Sequence, residues 1–272
     1  MGNCVNVLEI LEFIRISHPP QICYHVFGGV IMTNTMTKKG LSGFDLKYIA
    51  LLTMTIDHFS AIFLDPSSTA YAIGRGIGRI AFPIYCFLLV EGYFHTSNHK
   101  AYLKRLFLFA LISEIPFDMA IYQFPLVTNF SILSGHQNVF FTLAFGLLAM
   151  YLIDRYRNVN EMVAIGGTLL LAIGAELLHF DYGCVGILVI LIFYAYQRFY
   201  TSKSALEGYV MALLPLLFYG NTCIYLALPF LVLYNGEKGN ALPGGRTFPG
   251  AKYFFYLYYP AHLFVLAMIY RM

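Results

Sequence analysis

The chain has 272 residues, 59% of them in the set AVILMFWYC and 11% charged, where soluble domains run at roughly 45–50% apolar (glycine included) and about 25% charged. Seventeen Lys and Arg with fourteen Asp and Glu cannot coat a water-soluble core of this length, so the composition points to an all-α, polytopic membrane protein. The net charge of +3 comes from basic residues scattered through short loops, which excludes a disordered chain, a disulfide-rich secreted module and a nucleic-acid binder.

Residues 1–35 stand apart. VLEILEFIRI has helical spacing, but Glu9, Glu12 and Arg15 interrupt it and His18-Pro19-Pro20 ends it, so it is neither a spanning helix nor a signal peptide with a basic start. The segment reads as an N-terminal extension. It is either an amphipathic helix lying on a surface or a stretch ahead of a working protein that begins near Met32 or Met36. The membrane domain runs from 40 to 272.

Nine apolar runs follow, at about 45–64, 74–93, 104–122, 137–153, 162–178, 183–200, 205–219, 222–234 and 253–270. Crossing a hydrocarbon core of about 30 Å takes ~20 helical residues. The seventh and eighth runs are short and meet at Gly220-Asn221-Thr222, as a tight hairpin or one broken element. Lys38 and Lys39, then Lys100, Lys104 and Arg105, Arg155 and Arg157, Arg198 and Lys203, and Lys238, Arg246 and Lys252 fall in alternate loops. The intervening loops, near 65–72, 123–136, 179–182 and 220–222, hold no Lys or Arg. Cytoplasmic loops collect Lys and Arg, so nine crossings with the amino terminus inside account for the alternation. Cys4, Cys23, Cys86, Cys184 and Cys223 form no CxxC pair and no Cys/His metal spacing; no metal is expected.

The informative residues are polar ones inside these runs. A charge at a helix centre costs about 2.5–3.5 kcal/mol on insertion scales, so it usually faces a bundle interior and a partner. In the first run Lys47 and His58 lie eleven residues apart, close to three helical turns, so they share a face. Asp57 points elsewhere, and a carboxylate from another helix is needed to orient His58. Arg75 and Arg79 share a face of the second run, among Gly74, Gly76 and Gly78. Glu114 and Asp118 share one in the third, around Pro116. With this topology the two cations and two carboxylates reach similar depth, where they form either a structural ion network or a site. In the latter case Arg79 or Arg75 binds an anionic or carbonyl group, while Glu114 or Asp118 positions His58 or receives an amine. In the ninth run Lys252, Tyr256, Tyr259 and Leu263 form a stripe, and His262 lies beyond Pro260.

GFDLKYIALLTMTIDHF, GRIAFPIYCFLLVEGY, SEIPFD, NVFFT and KYFFYLYYPAHL, in this order from about residue 40, resemble the TraX family. That family is named for the conjugal-transfer protein that acetylates the amino terminus of pilin. It is similar in turn to wider membrane acyltransferases, among them the acyltransferase 3 family, whose first helix carries Arg, ten residues, then His. Here Lys47 replaces Arg at the same distance from His58.

The resemblance implies a multi-pass protein of the cell membrane, the bacterial inner membrane, in contact with lipid. It implies transfer of an acetyl group from cytoplasmic acetyl-CoA to an acceptor amine, either a peptide amino terminus or an amino sugar. His58 is then the general base, or carries the acetyl group covalently. Asp57, Glu114 and Asp118 are candidate partners, and Arg79 or Asn138 a donor to the oxyanion. Lys47, Lys104, Arg105 and Lys252 are candidates for the CoA phosphates, with Tyr256 and His262 beside them. A proton-coupled transporter or flippase also buries such charges and is the alternative.

Overall fold

The computed structural model describes residues 40–123, 135–200, 204–220, 222–239 and 250–272, and of Lys252 the backbone alone. The N-terminal extension and the middle of the 123–136 loop lie outside the described residues.

Helix α1, Gly43–Phe63, opens on a reciprocal cap. Ser42 Oγ accepts the Asp45 N–H at 3.3 Å, while the Asp45 carboxylate accepts the Ser42 N–H at 2.8 Å, which satisfies two otherwise orphaned donors. The second apolar run is the continuous stretch Thr69–Phe94, divided into α2, Thr69–Gly78, and α3, Ala81–Phe94. Pro83 offers no N–H to the Arg79 carbonyl four residues back. The chain tightens there instead, with the Arg79 and Ile80 N–H groups bonding to Gly76 and Ile77 at 3.2 and 3.1 Å.

Helix α4, His99–Ile121, starts five residues earlier than its apolar pattern because Asn98 caps it, accepting the Ala101 N–H at 2.9 Å. Helices α5, Val139–Tyr156, α6, Glu161–Leu177, and α7, Gly183–Phe199, follow. The seventh run is α8, Ala205–Leu213, extended by a 3-10 segment, Leu214–Tyr219. The eighth is a 3-10 segment, Thr222–Ala227, followed by α9, Leu228–Val232. Helix α10, Ala251–Tyr270, closes the chain.

All nine runs are therefore helical, but among the described residues four stretches are long and apolar enough to cross a membrane: Gly43–Phe63, Thr69–Phe94, Val139–Tyr156 and Tyr253–Tyr270. Helix α4 has 23 residues but carries Lys104, Arg105, Glu114 and Asp118, and the remaining apolar helices are shorter.

Helix α1 packs on α2, α3 and α10, α10 on α4, and α7 on α3, α5, α6 and α8. The α1–α2 contact depends on missing side chains: a Cβ on Gly78 would overlap the Asp57 carboxylate, and one on Gly74 the Ser60 hydroxyl. Leu46, Ile84, Phe87, Leu147, Ile190 and Phe193 are fully buried at the centre. The surface inverts the soluble pattern. Leu52, Leu108, Leu111, Ile115 and Leu170 are exposed, whereas Glu114, Asp118, Asn138 and His262 are buried.

One connection sets the depth of the candidate site. The Gln137 N–H bonds to the His179 carbonyl and the Asp181 N–H to the Gln137 carbonyl, both at 2.9 Å. This clips the approach to α5 against the approach to α7. Asn138 then caps α5 while its Nδ2 donates to the Ala110 carbonyl at 2.8 Å. Helix α5 consequently begins beside the middle of α4 rather than beside its end.

Candidate active site

His58 and His262 meet across α1 and α10. Their rings stack with centroids 5.0 Å apart and planes 17° apart, and His58 Nδ1 lies 2.7 Å from His262 Nε2. The other nitrogen of His262, Nδ1, is 2.8 Å from the Tyr258 carbonyl oxygen. A carbonyl only accepts, so His262 Nδ1 carries a proton, and in the neutral ring Nε2 then presents a lone pair. His58 Nδ1 must donate to it. That leaves His58 Nε2 as the free basic nitrogen, with its tautomer set by a backbone carbonyl one imidazole away. Pro260 fits this arrangement, because its missing N–H and bulk perturb the helix between Tyr258 and His262. Tyr259 stands edge-on to both rings, at 5.9 Å from His58 and 5.7 Å from His262.

Beneath this pair runs a cavity of about 420 Å³. Its lining includes Gly43 and Lys47 at the start of α1, His95 and Thr96 after α3, Tyr102 and Arg105 near the start of α4, and Lys238. These place its mouth at the end of the bundle opposite His58. Met54, Phe140, Leu143 and Tyr259 also line it. Met54 is one turn before His58 on the same face of α1, and Tyr259 touches both the cavity and the imidazoles. Eleven residues of α1 separate Lys47 from His58, a rise of about 16 Å.

The mouth is basic and aromatic. Lys47 Nζ sits 4.7 Å from the Phe44 ring centre and 5.3 Å from that of Phe255. The Arg105 guanidinium is 5.5 Å from the Tyr102 ring, and its buried Nε has no hydrogen-bond acceptor. The Tyr234 hydroxyl donates to Glu91 at 3.0 Å.

The remaining sequence candidates separate. Arg75 Nη1 donates to Asp57 at 2.6 Å, so the neighbouring helix α2 neutralises Asp57. The expected pairing of Arg75 and Arg79 with Glu114 and Asp118 is not formed, because the break after Gly78 turns Arg79 toward Tyr182, whose hydroxyl accepts from Nη1 at 3.3 Å. Glu114 is held by Asn138, whose Nδ2 and backbone N–H donate to Oε2 at 2.5 and 3.2 Å. Asn138 Oδ1 accepts the Phe140 N–H at 3.1 Å. With Oδ1 in the cap of α5 and Nδ2 bonded to α4, Asn138 is outside the cavity lining. Among the described residues no carboxylate orients His58; His262 occupies that position instead of joining the cavity lining. Lys47, Arg105 and Tyr256 line the cavity, Lys104 is exposed outside it, and the Lys252 side chain is outside the described residues.

Several residues had no usable sequence signal. Tyr259 was hidden in a tyrosine stripe, while Lys238, Glu91 and Tyr234 come together only through the return of the chain beside α1. Asp181 and Tyr182 lie in a four-residue loop without Lys or Arg. Tyr182 takes a left-handed conformation (φ 63°) and stacks on Phe82 at 3.6 Å. Desolvation pushes the Asp181 carboxyl up to about 6, against the opposing pull of Arg79.

A family model described as TraX protein matches residues 42–270. The chain is 34% identical over 239 residues to "Probable fimbrial assembly protein FimC, serogroup H1" of Dichelobacter nodosus, an alignment covering 83% of this chain and 94% of that protein. No solved structure matches.

Proposed function

We propose that this chain, which belongs to the TraX family, is a multi-pass membrane acetyltransferase that moves an acetyl group from acetyl-CoA to an acceptor amine. The observation that carries the reading is the chain of hydrogen bonds from the Tyr258 carbonyl through His262 to His58, standing just beyond a cavity with a basic mouth.

Each part has a chemical task. Lys47, Arg105 and Lys238 offer positive charge to the CoA phosphates, and the unpaired Arg105 Nε supplies a donor already stripped of water. The apolar lining at Met54, Phe140 and Leu143 suits the pantetheine arm, with the thioester toward Tyr259. An amine attacks only when neutral. As its nitrogen bonds to the acetyl carbon, His58 Nε2 takes an N–H proton and returns it to the departing sulfur, giving the amide and the CoA thiol. His262 holds the ring in the tautomer that leaves Nε2 free. The alternating basic loops support a mouth on the cytoplasmic side, with nine crossings and the start of α1 inside. A transporter needs the buried charges but has no use for a basic-mouthed cavity that reaches Tyr259 beside an imidazole pair.

The fimbrial name of the relative supports an acceptor among pilus subunits, with a peptide amino terminus as the amine. The test is release of CoA thiol by purified protein supplied with acetyl-CoA and a short peptide bearing a free amino terminus. Thiol release that depends on the peptide and is lost in His58→Ala supports the reading. Folded wild-type protein that neither binds nor consumes acetyl-CoA refutes it.

A further inference from the structure

Glu114 and Asp118 are 3% and 7% exposed, one turn apart on α4. Glu114 Oε2 is engaged by Asn138, but the other oxygen, Oε1, is buried with no hydrogen-bond partner. Asp118 makes no side-chain hydrogen bond or ion pair among the described residues. The charges of Glu114, Asp118 and Asp181 all act on the Tyr122 hydroxyl, which accepts the backbone N–H of the exposed His136 at 2.7 Å. Two cations of the bundle face other partners: Arg75 pairs with Asp57, and Arg79 donates to Tyr182 with the charges of Asp57 and Asp181 beside it. Residues 124–134, which continue from this end of α4, contain no Lys, Arg or His. Two buried carboxylates without a counter-charge are costly unless a cation or a shared proton joins them.

We propose that Glu114 and Asp118 form a cation site that receives the acceptor in its protonated, primary ammonium form. The inference rests on the acetyl-transfer reading for its purpose but not for its binding chemistry. The ammonium has three N–H donors, matching Glu114 Oε1 and the two oxygens of Asp118. Tyr259 links this site to the reaction centre, since its hydroxyl takes the Val139 N–H at the start of α5 near Glu114 while its ring contacts both imidazoles. The protons balance across the two sites. The ammonium leaves one proton on the carboxylate pair and becomes the neutral amine; the amine then loses a second proton to His58, which delivers it to the CoA sulfur. Net, R–NH3+ and acetyl-CoA give the acetamide, CoA thiol and one proton, the last released from the carboxylates.

The experiment measures binding of butylammonium chloride to the purified full-length chain in detergent micelles, by ligand-observed NMR, with butanol as the neutral control. Acetyl-CoA binding is measured on the same samples. Glu114→Gln and Asp118→Asn keep shape, and the Gln amide oxygen still accepts from Asn138. Butylammonium should bind and butanol should not. Each variant should weaken the cation about tenfold or more, as expected for loss of a charge-assisted hydrogen bond, and the double variant should abolish binding while acetyl-CoA affinity stays unchanged. Equal binding of butanol, no butylammonium binding by wild type, or undiminished binding by the folded double variant overturns the proposal. Carboxylate-dependent ammonium binding without any acetyl-CoA binding would instead sink the acetyltransferase reading and leave the cation site standing.

Discussion

His262 should act only through His58, and its removal should cost a small, calculable amount. In His262→Ala, His58 Nδ1 loses the acceptor that stands 2.7 Å away. A neutral–neutral hydrogen bond contributes about 0.5–1.5 kcal/mol. At about 1.4 kcal/mol per decade, this lowers the share of His58 in the productive tautomer by about two- to twelvefold. Turnover should fall by that factor, with the KM for acetyl-CoA unchanged, because His262 is not part of the cavity lining. His58→Ala removes the base and should cost about 10²–10⁴-fold. The double variant should be no slower than His58→Ala, since nothing remains for His262 to orient. His262→Gln, whose amide oxygen can accept from His58, should recover part of the loss. The assay is CoA thiol release at saturating acetyl-CoA, with the elution profile and thermal midpoint of each variant as fold controls. If the losses of the two single variants multiply in the double, His262 touches the reacting atoms itself and the tautomer argument is wrong.

Arg105→Ala and Lys47→Ala should raise the KM for acetyl-CoA several-fold with little change in kcat, because a mouth contact is made equally in ground and transition states; initial-rate kinetics checks this, and a pure kcat effect would contradict it. Asp57→Asn leaves Arg75 without its carboxylate at 2.6 Å in a part-buried pair and should lower stability by about 1.5–3 kcal/mol, the range for a hydrogen bond to a charged group, read as a lower thermal midpoint in micelles. Single cysteines at positions 98 and 156 should react with impermeant reagent only from the cytoplasm, and one at position 67 only from outside; labelling of position 67 from the cytoplasm would invert the proposed orientation.

Periodic features were the most legible in the sequence. Each of the nine apolar runs is helical among the described residues, whereas the caps at Ser42 and Asn98, which set where α1 and α4 start, were not read from the pattern. The eleven-residue interval put Lys47 and His58 on one face; Lys47 lines the cavity, whereas His58 lies outside its lining and meets it through the ring of Tyr259. Partnerships between helices were not legible, since periodicity gives the face of a helix but not its neighbour. The break at Arg79–Ile80 turned Arg79 to Tyr182, and the clip between Gln137 and Phe180 brought Asn138 down to Glu114. His262 was visible as a polar residue beyond Pro260, yet its service to His58 depends on a backbone carbonyl, which no side-chain pattern encodes.

Binding of radiolabelled acetyl-CoA to purified wild type, His58→Ala and the Lys47→Ala/Arg105→Ala double variant tests the central claim most directly, with released CoA thiol followed in parallel. The cavity below the imidazole pair should let wild type and His58→Ala retain the label equally, wild type but not His58→Ala should release thiol when an amine is supplied, and the mouth variant should retain less label. Wild-type protein that is folded and retains no label, or His58→Ala that turns over like wild type, would contradict the account.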